Sequence, residues 1–197
     1  IGNSKDVSTI EVKHYHSGGQ WNGTRAYLTQ PFQYGDILFE VYDAKSRNLI
    51  FSRSYSSLFN EYRTTERADS EVGYFEESVL MPYPKNSVFF SFTSFDRYKK
   101  GTVVYEGTFD PNSADVIPFK KEYQVMTLHK GATPDKALDI LFIPDGYSKA
   151  DKKKLKYDMK RFASYILACS PFKESAQKIN IRAIKGFSEE SGITDPN

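Results

Sequence analysis

A single cysteine, Cys169, excludes an internal disulfide and any cluster of thiolate metal ligands. Histidine is scarce too: there are three, and none stands in a His-Glu-x-x-His pattern. The Gly-x-Ser-x-Gly nucleophile elbow is missing, and so is a glycine-rich loop of the kind that cradles phosphate. Apolar runs stay well below the roughly 18 residues a spanning helix needs, so no membrane span is expected. Net charge is only +2 at pH 7, too little for a strong field toward nucleic acid or a membrane surface. The opening IGNSKDVSTI has neither an initiator Met nor a charged-then-apolar leader, and reads as the start of a mature or trimmed chain. One cysteine suits a cytosolic protein or a bacterial envelope protein that avoids cysteine.

Aromatics, by contrast, are plentiful: fourteen Tyr and fifteen Phe, spread along short runs as in a sheet core. Strands are predicted over 7–16, 24–29, 36–42, 49–55, 78–81, 87–94, 102–109 and 123–128, several with period-two alternation. In the run from Ser87, Val88, Phe90 and Phe92 share one face and Phe89 takes the other, so both faces are expected to be covered. Turn-forming residues separate the runs, among them Ser17-Gly18-Gly19 and Asp110-Pro111-Asn112. Eight strands so spaced suggest an antiparallel β-sandwich. Residues 60–76 read as a long charged surface connection with a helical turn.

From 129 to 136 (HKGATPDK) the composition is that of a linker, and the periodicity then changes. A near-continuous apolar strand is predicted over 138–143, stopped by Pro144-Asp145-Gly146. Ser148 is a good N-cap, with Asp151 placed to complete a weak capping box. Leu155, Met159, Phe162, Ala163, Ile166 and Cys169 recur at helical spacing until Pro171. A second strand is predicted over 179–184. Strand, helix and strand in this order imply a right-handed parallel crossover. The expected organisation is therefore a mostly β domain over 1–130 and the first βαβ unit of an α/β domain over 131–197.

Few residues suggest chemistry. His14 and His16 share one face of a strand and could converge on a metal, but an exposed pair flanking a core Tyr15 is the simpler reading. Asp145, Gly146 and Tyr147 sit at a strand's carboxyl end ahead of a helix N-terminus, where α/β folds bind ligands, although any tight turn would choose Asp-Gly. Glu189 and Glu190 follow the second strand, flanked by Ser188, Ser191 and Gly192. They suit acid–base work or a hard cation, with a structural loop as the plainer role. The basic helix face of Lys149, Lys152, Lys153, Lys154, Lys156, Lys160 and Arg161 could meet an acidic partner, though a solvated face is the commoner case. Cys169 is read as a small buried hydrophobe. Asn22-Gly23-Thr24 is a formal glycosylation sequon.

The segments LDILFIPDGYSKADKKKLKYDMKRFASYILACSPFKE, INIRAI and FSEESGITDP together resemble the start of the catalytic domain of IgA-peptidase-type zinc metallopeptidases. DILFEVYDAKSRNLIFSRSYSSLFNEY, from Asp36, and FEESVLMPYPKNSVFFSFTSFDR, from Phe75, resemble that family's N-terminal domain. The resemblance implies a zincin-like fold, in which a later helix supplies two zinc-binding His and a Glu that activates the metal-bound water. It implies zinc as cofactor, a protein or glycoprotein as substrate, and a secreted or cell-envelope bacterial enzyme. No position of this chain matches the zinc ligands or the base. They are expected in a C-terminal remainder of the catalytic domain, and this chain alone is expected to be inactive. Asp145, Gly146, Tyr147, Glu189, Glu190 and Gly192 match recurrent family positions, as a cleft rim or as braces between loops. The alternative is a non-catalytic sandwich that binds glycan or protein at the cell surface through exposed Tyr15, Trp21, Tyr27 or Tyr34.

Overall fold

Alternating apolar residues set the architecture of the first half of the chain. In the computed structural model, which describes residues 1–3, 9–19, 21, 23–120 and 123–192, the chain divides into two units, Ile1–Phe119 and Lys120–Asn197.

The first unit contains β1 (Gly2–Asn3), β2 (Tyr15–Ser17), β3 (Ile37–Asp43), β4 (Leu49–Tyr55), α1 (Leu58–Tyr62), β5 (Gly73–Tyr74), β6 (Val88–Phe95), β7 (Gly101–Phe109) and β8 (Val116–Pro118). Four of these strands make an antiparallel sheet in the order β4-β3-β6-β7. Register is fixed by the buried faces: Phe39 lies opposite Phe92, and Val41 opposite Phe90. Ile37, Phe39, Val41, Phe51, Val88, Phe90, Phe92 and Phe109 form one core. The Phe39 and Phe92 rings are 4.8 Å apart, within the range of favourable aromatic pairs. On the other face Phe89 is half-buried under the Arg47 guanidinium, 4.6 Å from its ring centre.

Packed against this core are Val12, Tyr15, Trp21, Leu28, Val79, Met81 and Val116. They come from the parallel β2–β8 pair and from irregular segments. Among the described residues no second full antiparallel sheet faces the first. The runs at 24–29 and 78–81, expected as strands, are irregular. In the former, the Thr24 hydroxyl accepts hydrogen bonds from the Ala26 and Tyr27 amides, which turns the chain. In the latter, Val79 and Met81 satisfy their alternation by packing on the core without a ladder. The connection over 60–76 contains α1's end and a short 3-10 helix at Glu66–Asp69.

The second unit holds β9 (Val125–His129), β10 (Leu138–Phe142), α2 (Lys152–Ala168) and β11 (Ile179–Ile184). Its sheet order is β10-β11-β9, with β10 parallel and β9 antiparallel to β11. The strand expected over 123–128 thus forms, but pairs with β11, and the chain divides ahead of it. Leu155, Met159 and Ala163 on α2 cover Ile179, Ile181 and Ala183, with Met126, Leu128, Ile140 and Phe142 around them. Buried Asn180 ties down the start of the β9–β10 connection. Its side chain accepts from the Gly131 amide (2.9 Å) and donates to the Ala132 carbonyl (3.0 Å).

Cys169 differs from expectation. It is exposed, because it caps α2 in an extended conformation and leaves the helical stripe. Phe162 is 45% exposed, at the margin of the buried face. Overall the described chain is mostly β, with no closed barrel.

Candidate functional site

Parallel pairing puts the carboxyl ends of β10 and β11 side by side. The loops that leave them, Pro144 to Ser148 and Gly186 to Gly192, therefore meet. The Gly146 amide donates to the Ser188 hydroxyl (2.9 Å) and to the Asp145 carboxylate (2.8 Å). Ser188 in turn donates to Asp145 at 3.2 Å. Two backbone bonds close the pairing: Ser188 N–H to the Tyr147 carbonyl (2.8 Å) and Gly192 N–H to the Gly146 carbonyl (2.9 Å). Gly146 has φ +71, and a Cβ there would stand 2.2 Å from the Gly192 carbonyl oxygen. Only glycine fits this close approach of two backbones.

A second knot lies at the start of α2. The Asp151 carboxylate accepts from the Ser148 amide (3.0 Å) and hydroxyl (2.8 Å), completing the expected capping box. Ser191, from the other loop, also donates to Asp151. The Ser191 and Ser148 hydroxyls, followed by the Ser148 amide, hold the Asp151 carboxyl below the ordinary carboxylate range.

Tyr147 links the loop to the helix. Its hydroxyl donates to Asp158 (3.0 Å), a nearly fully buried carboxylate that also receives Lys154 (2.5 Å) and Arg161 (3.1 Å). The Lys154 hydrogen bond, ahead of that from Tyr147, keeps the Asp158 carboxyl low against the opposing effect of burial. Burial first, then donation to Asp158, pushes the Tyr147 phenol up. The Lys154 ammonium also lies 5.1 Å from the Tyr147 ring centre.

Of the sequence-predicted positions, Asp145, Gly146, Tyr147 and Gly192 are thus joined in one assembly. Glu189 and Glu190 are exposed on the same loop, and the bracing runs through their neighbours Ser188 and Ser191. Sequence reasoning missed Asp158, although a lone acid in a lysine-rich helix, with Lys four residues before and Arg three after, marks an ion-pair node. Residues 193–197, which include the last four positions of the FSEESGITDP segment, lie outside the described residues. So does Asn22 of the sequon.

In the first unit His14 and His16 are exposed with ring centres 6.0 Å apart, while Tyr15 packs on the core. Trp21 is also turned inward, edge-on to Phe51, and its indole N–H donates to the Thr24 carbonyl (3.1 Å). Neither Tyr15 nor Trp21 is the exposed platform considered for ligand stacking. Tyr27 and Tyr34 are exposed, at 77% and 73%.

The assembly braces; it does not activate a nucleophile. Neither Ser188 nor Ser191 bonds to a histidine, and His129 is committed to the Ala176 carbonyl (2.9 Å). Comparison with protein families places both units. Residues 1–106 match the family described as Peptidase M64 N-terminus, and residues 126–197 match IgA Peptidase M64. The chain belongs to the IgA peptidase M64 family. A comparison with curated proteins finds no match. Membership makes this M64 chain metallopeptidase-type, with protein as the implied substrate class. Among its described residues no three His, Cys, Asp or Glu side chains converge to hold a metal. These residues do not fit a zinc centre, and no catalytic step is assigned to them. No helix among them is long and apolar enough to cross a membrane.

Proposed function

We propose that this chain is the N-terminal portion of a secreted or envelope-held bacterial zinc metalloendopeptidase. The first unit is its accessory domain, built on one four-stranded antiparallel sheet. The second opens a zincin-like catalytic domain, and a continuation supplies the zinc ligands and the general base. The observation that carries this reading is the interlock of the two signature loops at the carboxyl ends of β10 and β11. A βαβ opening whose loops are pinned to each other offers a rigid rim on which a catalytic cleft can be built. In that reading the interlock holds Glu189 and Glu190 outward at the rim, toward substrate.

Elemental analysis tests the proposal. Zinc is expected to be absent from the purified 197-residue chain and present at one equivalent in the extended gene product, which alone cleaves peptides and loses activity to a chelator. One zinc per 197-residue chain would overturn the reading and return attention to His14 and His16.

A second reading, a glycan- or protein-binding role for the first unit, is favoured by one observation. Phe32 and Tyr34 are exposed, with ring centres 6.2 Å apart, on a segment held against β4. Ser52 and Ser54 hydroxyls accept from the Gln30 and Tyr34 amides at 2.8 and 2.9 Å. Failure of the 197-residue chain to bind any member of a glycan array or a mucin-type glycoprotein would remove this reading.

A further inference from the structure

A cleft of about 380 Å³ opens in the second unit, at the same end of the sheet as the interlocked loops. Its position follows from topology. Lys185 and Phe187 come directly after β11, Tyr123 directly before the antiparallel β9, and Lys152, Leu155 and Lys156 from the first turns of α2. One wall is fixed, because the Lys185 amide donates to the Gln124 carbonyl at 2.8 Å and carries the β9–β11 ladder past the strand ends. The floor is anchored by Leu155, which is 2% exposed in the α2 core.

The lining has two characters. Met126, Leu155 and Phe187 make an apolar recess, with the ring of Tyr123 beside it. Lys152, Lys156 and Lys185 also line it and bring three cationic side chains to it, and the described lining contains no carboxylate. Lys154 and Arg161 on the same helix share one carboxylate, Asp158, whereas no described ion pair engages the three cleft lysines. The positive end of α2 adds to their potential. A free phosphate would leave the apolar recess unused, and a membrane surface would not enter a concave one. An extended acidic peptide uses both.

We propose that this cleft binds an acidic peptide segment, seating one aromatic or aliphatic side chain against Met126, Leu155 and Phe187 while neighbouring carboxylates meet Lys152, Lys156 and Lys185. The volume is within the roughly 300–1,000 Å³ typical of binding pockets. This binding is independent of the peptidase reading, since it requires no zinc and no cleavage.

Fluorescence anisotropy on the intact 197-residue chain tests it, with a fluorescein-labelled peptide of glutamates around a central phenylalanine. Saturable binding at low salt is expected. Lys156→Glu and Lys185→Glu should each weaken it by about tenfold, with Lys185→Gln intermediate. Lys153→Glu, on the same helix but outside the lining, should change it by less than about twofold. Exchanging the central phenylalanine for glycine should weaken binding several-fold. All the lysines changed are exposed, and unchanged circular dichroism checks the fold. The proposal is overturned by absence of binding at low salt or by equal losses from Lys153→Glu and Lys156→Glu. Indifference to the phenylalanine, or preference for phosphatidylserine vesicles over the peptide, overturns it as well.

Discussion

The glycines of the loop assembly and the aspartates at α2 fail in different ways. Both Gly146 and Gly192 have positive φ, but only Gly146 faces a backbone oxygen where a Cβ would go. Gly146→Ala should therefore cost about 2–3 kcal/mol, from strain and displacement of the loops together, while Gly192→Ala costs about 1 kcal/mol from strain alone. Urea unfolding of the second unit distinguishes them, and equal losses would show that the two loops do not press on each other. The aspartates respond to acid. Asp151 and Asp158 both titrate below their unfolded values. Their contribution is thus fully present above about pH 4 and is lost as pH falls through the folded values. Ser191→Ala removes the leading cause of the Asp151 shift, so it should move the acid limb of the melting profile to higher pH. An unmoved acid limb would mean that the Ser191 bond does not persist in solution.

At the scale of elements, the sheet rests on aromatic layers and the outcome of core truncation is large. Phe90 is 3% exposed and touches the rings of Tyr15, Phe39, Phe92 and Tyr105. Phe90→Ala should cost about 3–5 kcal/mol by urea unfolding. At the end of β4, partial burial and then the Glu77 carboxylate push the Tyr55 phenol far up. Because the folded value is raised, this contribution is complete below about pH 10 and disappears as pH climbs above it. Tyr55→Phe should flatten the alkaline limb of the first unit's stability, and an unchanged limb would sink the assignment. These strands were legible in the sequence because buried faces impose period two on Ile37, Phe39 and Val41 and on Val88, Phe90 and Phe92. The α2 stripe was legible for the same reason at period 3.6. Partners were not legible. Nothing local in 123–128 says that β9 will pair with β11, and alternation at 78–81 records only contact with a core. The loop interlock was half visible. Its glycines and Asp145 stood out as turn formers, but Ser188 and Ser191 act through partners about 40 residues away, and Asp158 acts through Tyr147, eleven residues back, and Lys154, one helical turn back.

At the scale of the molecule, each unit contains its own core. Among the described residues, the aromatic cluster of the first draws on residues up to Val116, and the clusters around α2 draw on residues from Met126 onward. Segments 1–119 and 120–197 expressed separately should therefore each fold and melt cooperatively. The shorter one should melt at the lower temperature, since small domains bury a smaller fraction of their surface. Its outer edge should also have a consequence. β10 is an edge strand, and Leu141 and Ile143 on or beside it are 50% and 75% exposed. An exposed apolar edge invites strand addition, so segment 120–197 should self-associate with rising concentration in sedimentation velocity. Leu141→Lys places a charge on that edge, away from the Ile140 and Phe142 side chains that pack toward α2. It should return the segment to monomer without lowering its melting temperature. Association that persists unchanged in Leu141→Lys would place the contact elsewhere, and a non-cooperative melt of 120–197 would mean that the α2 core needs further chain to hold it.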